Sequence, residues 1–256
     1  GVTAIDINSD GRMDIYVCYS GKVKDERRKN QLFLNMGNNV DGTPVFTEVA
    51  GLYGLDSRAY SNQGYFFDYD QDGDLDMLLL NHNPNSLPIL GVPKTKVLLK
   101  EDRPLTGLRL FEQRERYFYD VTAEKNINGS SLSYGLGIAL SDFNNDGWTD
   151  FYVSNDYTIP DYLYINDRSG DFKNRLKESM SLTSHFSMGN DTGDINNDGN
   201  IDLMTLDMLP EDNKRQKLLQ APDNYNLFDL NIKSGFHYQY MRNMLQINNG
   251  NGTFSE

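Results

Sequence analysis

One nine-residue pattern occurs four times in this chain, and it limits the possible folds more than any other feature. DINSDGRMD runs from Asp6 to Asp14, DYDQDGDLD from Asp68 to Asp76, DFNNDGWTD from Asp142 to Asp150, and DINNDGNID from Asp194 to Asp202. Each reads D-x-[DN]-x-D-G-x-x-D. The first aspartates stand 62, 74 and 52 residues apart, too far for nonapeptide β-helix repeats and far enough for a four-stranded sheet per unit.

The pattern also accounts for the charge. The 256 residues include 37 acidic and 24 basic side chains, a net charge of -13. The four loops hold 14 aspartates, and without them 23 acidic residues would face the 24 basic ones. Carboxylates crowded into short loops repel one another unless a cation sits between them. The first, third, fifth and ninth positions offer hard oxygens: Asp6, Asn8, Asp10 and Asp14; Asp68, Asp70, Asp72 and Asp76; Asp142, Asn144, Asp146 and Asp150; Asp194, Asn196, Asp198 and Asp202. The sixth-position glycine permits a sharp turn. The seventh positions, Arg12, Asp74, Trp148 and Asn200, share no side-chain chemistry, as expected if only their backbone carbonyls act as ligands. An oxygen-only donor set points to Ca2+, about four ions per chain, ahead of Mg2+, which keeps several waters and needs fewer protein oxygens. No His or Cys lies inside a loop, which disfavours zinc, copper and iron–sulfur clusters. An EF-hand needs an acid at position twelve, where this chain has Val17, Leu79, Val153 and Thr205.

Each loop is followed by a β-type run: IYVCY after Asp14, MLLL after Asp76, FYVS after Asp150 and LMTL after Asp202. Before the loops, Tyr60, Tyr134 and Phe186 recur eight residues upstream, and Gly1, Gln63, Gly137 and Gly189 five residues upstream. This reads as a first strand with small residues where backbones approach closely. A third strand is expected at NQLFLN (Asn30 to Asn35), DYLYIN (Asp161 to Asn166) and NMLQIN (Asn243 to Asn248), with a degenerate copy near Gly107 to Phe111. A fourth is expected at VFTEVA from Val45, YFYDVTAE from Tyr117, DFKN from Asp171 and TFSE from Thr253. Strand, loop and three further strands make an all-β chain of β-propeller blades, expected at about residues 1–55, 56–125, 126–180 and 181–256.

These motifs resemble FG-GAP/VCBS repeats, the calcium-loop blades of integrin α heads and many secreted bacterial proteins. The stretch HFSMGNDTGDINNDGNIDLMTLDMLPEDNKRQK, with YQYMRNMLQINNGNGTFSE, is more narrowly similar to large bacterial VCBS-repeat surface proteins associated with ASPIC/UnbV domains. The resemblance covers essentially the whole chain and implies calcium ligation in all four loops. The third-position asparagines Asn8, Asn144 and Asn196 depart from an all-aspartate loop and are expected to weaken those sites relative to the one at Asp68. The resemblance further implies a propeller of about seven blades, so the chain reads as a segment of a longer protein, although closure with four blades is geometrically allowed.

Two insertions break the pattern. Residues 82–108 contain four of the eight prolines, Pro84, Pro88, Pro93 and Pro104, and are expected to form a long loop without regular helix. Residues 208–242 contain a helix-permissive piece from Glu211 to Gln220 and an aromatic cluster of Tyr225, Phe228, Phe236, Tyr238 and Tyr240. The cluster either covers the rim of the fold or docks a glycan or protein. His82, His185 and His237 pair with no nucleophile or second acid at a recognisable spacing, and the single cysteine, Cys18, reads as an inert strand thiol.

The charge argues against nucleic acid as a partner. No apolar run approaches the about 20 residues of a membrane-spanning helix. The reading that follows is a non-enzymatic, calcium-stabilised propeller module. It would be secreted or exposed on the bacterial cell surface, at the outer-membrane exterior, with a protein or glycan ligand or an outer-membrane complex as partner. A polysaccharide-active, lyase-like enzyme or its glycan-binding accessory domain is the alternative, and would need a basic cleft. A structural spacer of a large surface protein is the third reading. The D-x-S-x-S adhesion motif of integrin-like ligand sites is absent.

Overall fold

The computed structural model describes residues 1–85, 89–157, 159–219 and 225–256. Four antiparallel four-stranded sheets follow one another along the chain. The first comprises β1 (Val2–Ile5), β2 (Asp14–Val17), β3 (Gln31–Asn38) and β4 (Pro44–Glu48). The second comprises β5 (Ser61–Phe67), β6 (Asp76–Asn81), β7 (Arg109–Arg114) and β8 (Tyr117–Asp120). The third comprises β9 (Gly135–Ser141), β10 (Asp150–Asn155), β11 (Tyr162–Asn166) and β12 (Phe172–Asn174). After the short β13 (Thr183–Ser184), the fourth comprises β14 (Gly189–Gly193), β15 (Asp202–Leu206), β17 (Met244–Asn248) and β18 (Phe254–Ser255), and β13 pairs in parallel with β16 (Gln239–Tyr240).

Each nine-residue loop joins a first strand to a second, and the register beyond it is the same in every sheet. The residue after the ninth aspartate faces the same third-strand position: Ile15 opposite Phe33, Met77 opposite Phe111, Phe151 opposite Tyr164, and Leu203 opposite Gln246. A one-residue slip would turn every side chain to the other face. The apolar runs after the loops explain the burial: all six residues of β6 and all six of β10 are buried.

The chain divides into two compact units, Gly1–Ser86 with Asp102–Ser133, and Leu87–Glu101 with Tyr134–Glu256. In the first, Tyr16, Leu32, Met77, Leu79 and Phe118 lead a core shared by the first two sheets. Gly64 lies against it, where a Cβ would stand 2.9 Å from the Tyr16 ring. In the second, Phe143, Tyr152, Leu163, Leu203 and Phe254 do the same for the last two. First strands of consecutive sheets lie side by side within each unit. Thr3 Oγ1 donates to the Gly64 carbonyl (2.6 Å), and a Cβ on Gly137 would lie 3.4 Å from Gly189 Cα.

Helices occupy the insertions. Contrary to the expectation of a loop without helix, residues 82–108 contain α2 (Val92–Leu98), the successor of the one-turn α1 (Ala50–Tyr53). Pro93 stands in the first turn, where the missing N–H would have had no helical partner and the fixed φ suits the helix. After α3 (Leu176–Ser179), the second insertion holds α4 (Asn213–Leu219) and α5 (Tyr225–Ser234), and α5 packs on α2. The expected helical piece extended to Gln220, which lies outside the described residues, as does Pro88. No helix of the described residues is long and apolar enough to cross a membrane.

Candidate functional site

The four loops share one backbone path. The fourth residue of each, Ser9, Gln71, Asn145 and Asn197, has φ between 57° and 61°, and the sixth-position glycines, Gly11, Gly73, Gly147 and Gly199, have φ between 81° and 96°. Two left-handed residues so close together curl the loop back on itself. Glycine is needed at the second of them, and asparagine, which tolerates this region, occupies the first in two loops.

The curl points amide hydrogens inward at the first carboxylate. The N–H of Gly11, Gly147 and Gly199 donates to the first aspartate, Asp6, Asp142 or Asp194, at 2.7 to 2.9 Å. The N–H of the fifth residue donates to its other oxygen at 3.0 Å in each of these three loops. The third-position asparagine closes the ring, since Asn8, Asn144 and Asn196 each donate through Nδ2 to the fifth-position carboxylate at 2.9 to 3.1 Å. An arginine further neutralises two of these carboxylates: Arg12 lies 2.7 Å from Asp10, and Arg168 lies 3.0 Å from Asp146.

The ninth aspartates have a second task. Asp14, Asp76, Asp150 and Asp202 are all at most 1% exposed. One oxygen of each accepts the N–H of the loop's second residue, Ile7, Tyr69, Phe143 or Ile195, at 2.9 to 3.2 Å. The other accepts the N–H of a third-strand residue, Asn35, Gln113, Asn166 or Asn248, at 2.8 to 2.9 Å. This carboxylate ties loop, second strand and third strand together. Each oxygen keeps a further lone pair for a cation.

The second loop differs because Asp70 replaces the asparagine and brings no donor. Asp68 Oδ1 and Asp74 Oδ1 are buried without a hydrogen-bond partner. Carboxylate oxygens of Asp68, Asp70 and Asp76 lie within 4.8 Å of one another. Burial, then the charges of Asp70 and Asp74, pushes the Asp76 carboxyl up to about 8 against the pull of its two backbone hydrogen bonds. Burial, then Asp72 and Asp70, raises Asp74 to about 6. Such a group of hard oxygens lacking positive charge is what a divalent cation would satisfy. Asp68, Asp70, Asp72 and Asp76 could hold one, with the Asp74 side chain, to which the sequence assigned no role, close at hand.

A second repeated contact escaped the sequence analysis. The first residue of the third-strand motif, Asn30, Asp161 or Asn243, accepts through Oδ1 the N–H of Tyr19, Asn155 or Asp207, five residues past the ninth aspartate, at 2.7 to 2.9 Å. In the first unit Asn30 also donates to Tyr16 Oη (3.1 Å) and to Ser61 Oγ (3.0 Å) at the start of the next sheet. In the second unit Tyr152 and Ser187 donate to Asp161 Oδ2 at 2.5 and 2.6 Å. The recurrence of Tyr16 and Tyr152 two residues after a ninth aspartate, and of Ser61 and Ser187 seven before a first, is the signal that could have revealed it.

The FG-GAP-like repeat matches residues 6–79 and 142–205, and so runs in each unit from one nine-residue loop through the next, taking in the loop of each of the four sheets. The chain belongs to the FG-GAP-like repeat family. No curated protein matches it. Among solved structures it is similar to an Agrocybe aegerita lectin studied for specific recognition of non-reducing terminal N-acetylglucosamine. That similarity has 13% identity and a TM-score of 0.46, over 100% of this chain and 50% of the lectin chain. The FG-GAP-like chain therefore spans half the length of that structure.

The remaining singled-out residues of this FG-GAP-like protein are dispersed. Cys18 is buried, and burial pushes its thiol up to about 12. His237 is buried with Nε2 2.9 Å from the Met180 carbonyl, His185 stacks on Phe186, and the His82 ring lies edge-on to Tyr60. Of the aromatic cluster, Phe236 is buried, while Tyr238 and Tyr240 flank Phe228 and remain about half exposed.

Proposed function

We propose that this FG-GAP-like chain is a calcium-stabilised segment of a β-propeller, displayed by a secreted or bacterial cell-surface protein and serving to bind a protein or glycan partner without catalysis. The observation that carries the calcium reading is the second loop, where carboxylate oxygens of Asp68, Asp70 and Asp76 converge and the buried Asp68 Oδ1 and Asp74 Oδ1 have no hydrogen-bond donor. The propeller reading is supported by four sheets of one strand order whose first strands adjoin within each unit. Association with the ASPIC/UnbV class of surface proteins is part of the same proposal, motivated by the sequence around the fourth loop.

Calcium would act as a cross-link inside each loop. With free calcium about tenfold above its dissociation constant, each site would add roughly 1.4 kcal/mol. Four sites would then add roughly 5 to 6 kcal/mol, comparable with the whole stability of an ordinary domain. Metal analysis of protein dialysed without chelator is the test, read together with melting in excess chelator. About four calcium ions per chain and a marked fall in melting temperature are expected. Zero or one calcium, or stoichiometric zinc, overturns the reading.

A further inference from the structure

In the second unit, the third loop and the hairpin from β11 to β12 enclose a cavity of about 220 Å³ lined by Arg168, Lys173 and Arg175, with Asn144 and Ile165. A second cavity of about 270 Å³ shares Asn144, Ile165 and Arg175 with it and continues over Phe143, Leu163 and Phe254, with Glu178 and Ser179 on its wall. Together they form a groove with a cationic end and an apolar end. Each compartment is below the about 300–1,000 Å³ of a typical ligand pocket, a size that suits one small ring in each and no bulky ligand.

In a protein of net charge -13, three basic residues within eight positions converge on this one cavity. Asp146 and Asp167 line the same cavity, so three bases face two acids there. Asp146 holds Arg168 at 3.0 Å and accepts the Trp148 N–H, and Asp167 accepts the Ser169 hydroxyl at 2.5 Å. Arg168 has a left-handed backbone (φ 69°), and its N–H donates to Asn166 Oδ1 at 3.1 Å, so the turn itself aims this side chain. Lys173 and Arg175 are exposed and form no ion pair among the described residues. Lys173 acts through space on Asp167, while Arg175 is left outside any ion pair among the described residues, and a guanidinium at a concave surface offers an oxyanion two parallel donors.

We propose that this groove binds a sugar residue carrying a carboxylate or a sulfate, with the oxyanion at Lys173 and Arg175 and the ring running along Ile165 toward the apolar end. No side chain lining the cationic cavity is a tyrosine or histidine, so the proposal is of recognition, not turnover. It deepens and rests on the partner-binding reading above; Asn144 and Asp146 of the third loop form part of its wall, so calcium is kept present in the titration and the metal analysis tests the calcium reading separately.

The test is calorimetric titration of the intact chain, in calcium-containing buffer, with four probes: D-glucuronate, D-glucose 6-sulfate, D-glucose and inorganic sulfate. Both charged sugars are expected to bind, more weakly as salt is raised, and D-glucose to give no heat. The double variant Lys173→Gln with Arg175→Gln should weaken both by about tenfold or more while keeping the parent melting temperature. If that variant melts earlier, the two single replacements are used, each with a smaller expected loss. Absence of binding by either charged sugar, or unchanged affinity in a folded variant, overturns the proposal. Inorganic sulfate binding as tightly as the charged sugars overturns the saccharide and leaves a free-anion site.

Discussion

Ser187 donates a 2.6 Å hydrogen bond to Asp161, so the entry to the fourth sheet is fastened to a buried carboxyl of the third. The first unit makes the equivalent fastening between Ser61 and Asn30, a neutral amide. The carboxyl brings a titration that the amide lacks.

Asp161 is fully buried, and burial raises its carboxyl to about 7 against the hydrogen bonds from Asn155, Ser187 and Tyr152. A folded-state value above the unfolded one means that the native protein holds the extra proton. The resulting stabilisation is complete below the ordinary carboxyl range near pH 4 and is lost as pH rises through about 7. Asp161→Asn should therefore gain stability relative to the parent between pH 5 and 8, on the order of 1–3 kcal/mol. Urea unfolding of both proteins across that range checks it. A parent–variant difference that does not change with pH would contradict the assignment.

Asp76→Ala removes the acceptor of both the Tyr69 and the Gln113 N–H groups and leaves them buried. A loss of about 2–4 kcal/mol is expected even in excess chelator. Asp76→Asn retains one acceptor oxygen and should lose less under the same conditions. Equal losses for the two in chelator would mean that the backbone contacts do not matter and that the residue acts through metal alone.

Asp70→Asn gives the second loop the third-position amide of the other three. Its calcium affinity should drop toward theirs, by about tenfold or more, with the number of ions retained. Competition against a chromophoric chelator resolves the tight class of site from the weaker ones. Loss of a weak site, with the tight one untouched, would overturn the ranking of the loops.

Two glycine replacements separate crowding from backbone conformation. A Cβ on Gly107 would stand 2.1 Å from the Gly129 carbonyl oxygen, and backbone cannot move aside as a flexible side chain can. Gly107→Ala should cost about 3 kcal/mol or more. Gly73 has open space around it but φ of 96°, so Gly73→Ala should cost about 1–2 kcal/mol. Thermal unfolding in chelator gives both values, and the reverse order would contradict the contacts described at Gly107.

The sheets were legible because their signals are local. Aspartates and a glycine at fixed spacing mark the loops, and an apolar run after each marks the buried second strand, as in MLLL and FYVS. The helix Val92–Leu98 was not legible because Pro93 suppresses helix everywhere except in a first turn, and its position in a turn depends on where the helix begins. The pairing of each ninth aspartate with Asn35, Gln113, Asn166 or Asn248 joins residues 16 to 46 positions apart. No one-dimensional period reports such a contact, and Gln113 hides the position by breaking the asparagine pattern. The cationic groove was missed for the same reason: its lining is assembled from the third loop, the β11–β12 hairpin and the start of α3.

The ninth aspartate also bears on ancestry. One of its backbone partners lies in its own loop and the other in the third strand of its own sheet, so a duplicated stretch from first strand to third would carry its loop closure intact. A new copy needs from its neighbour only a matching face and, where the fastening is used, one serine such as Ser61 or Ser187. An array built this way can lengthen by copying alone, and its members are then free to diverge at the insertions, where this chain has placed its longer helices.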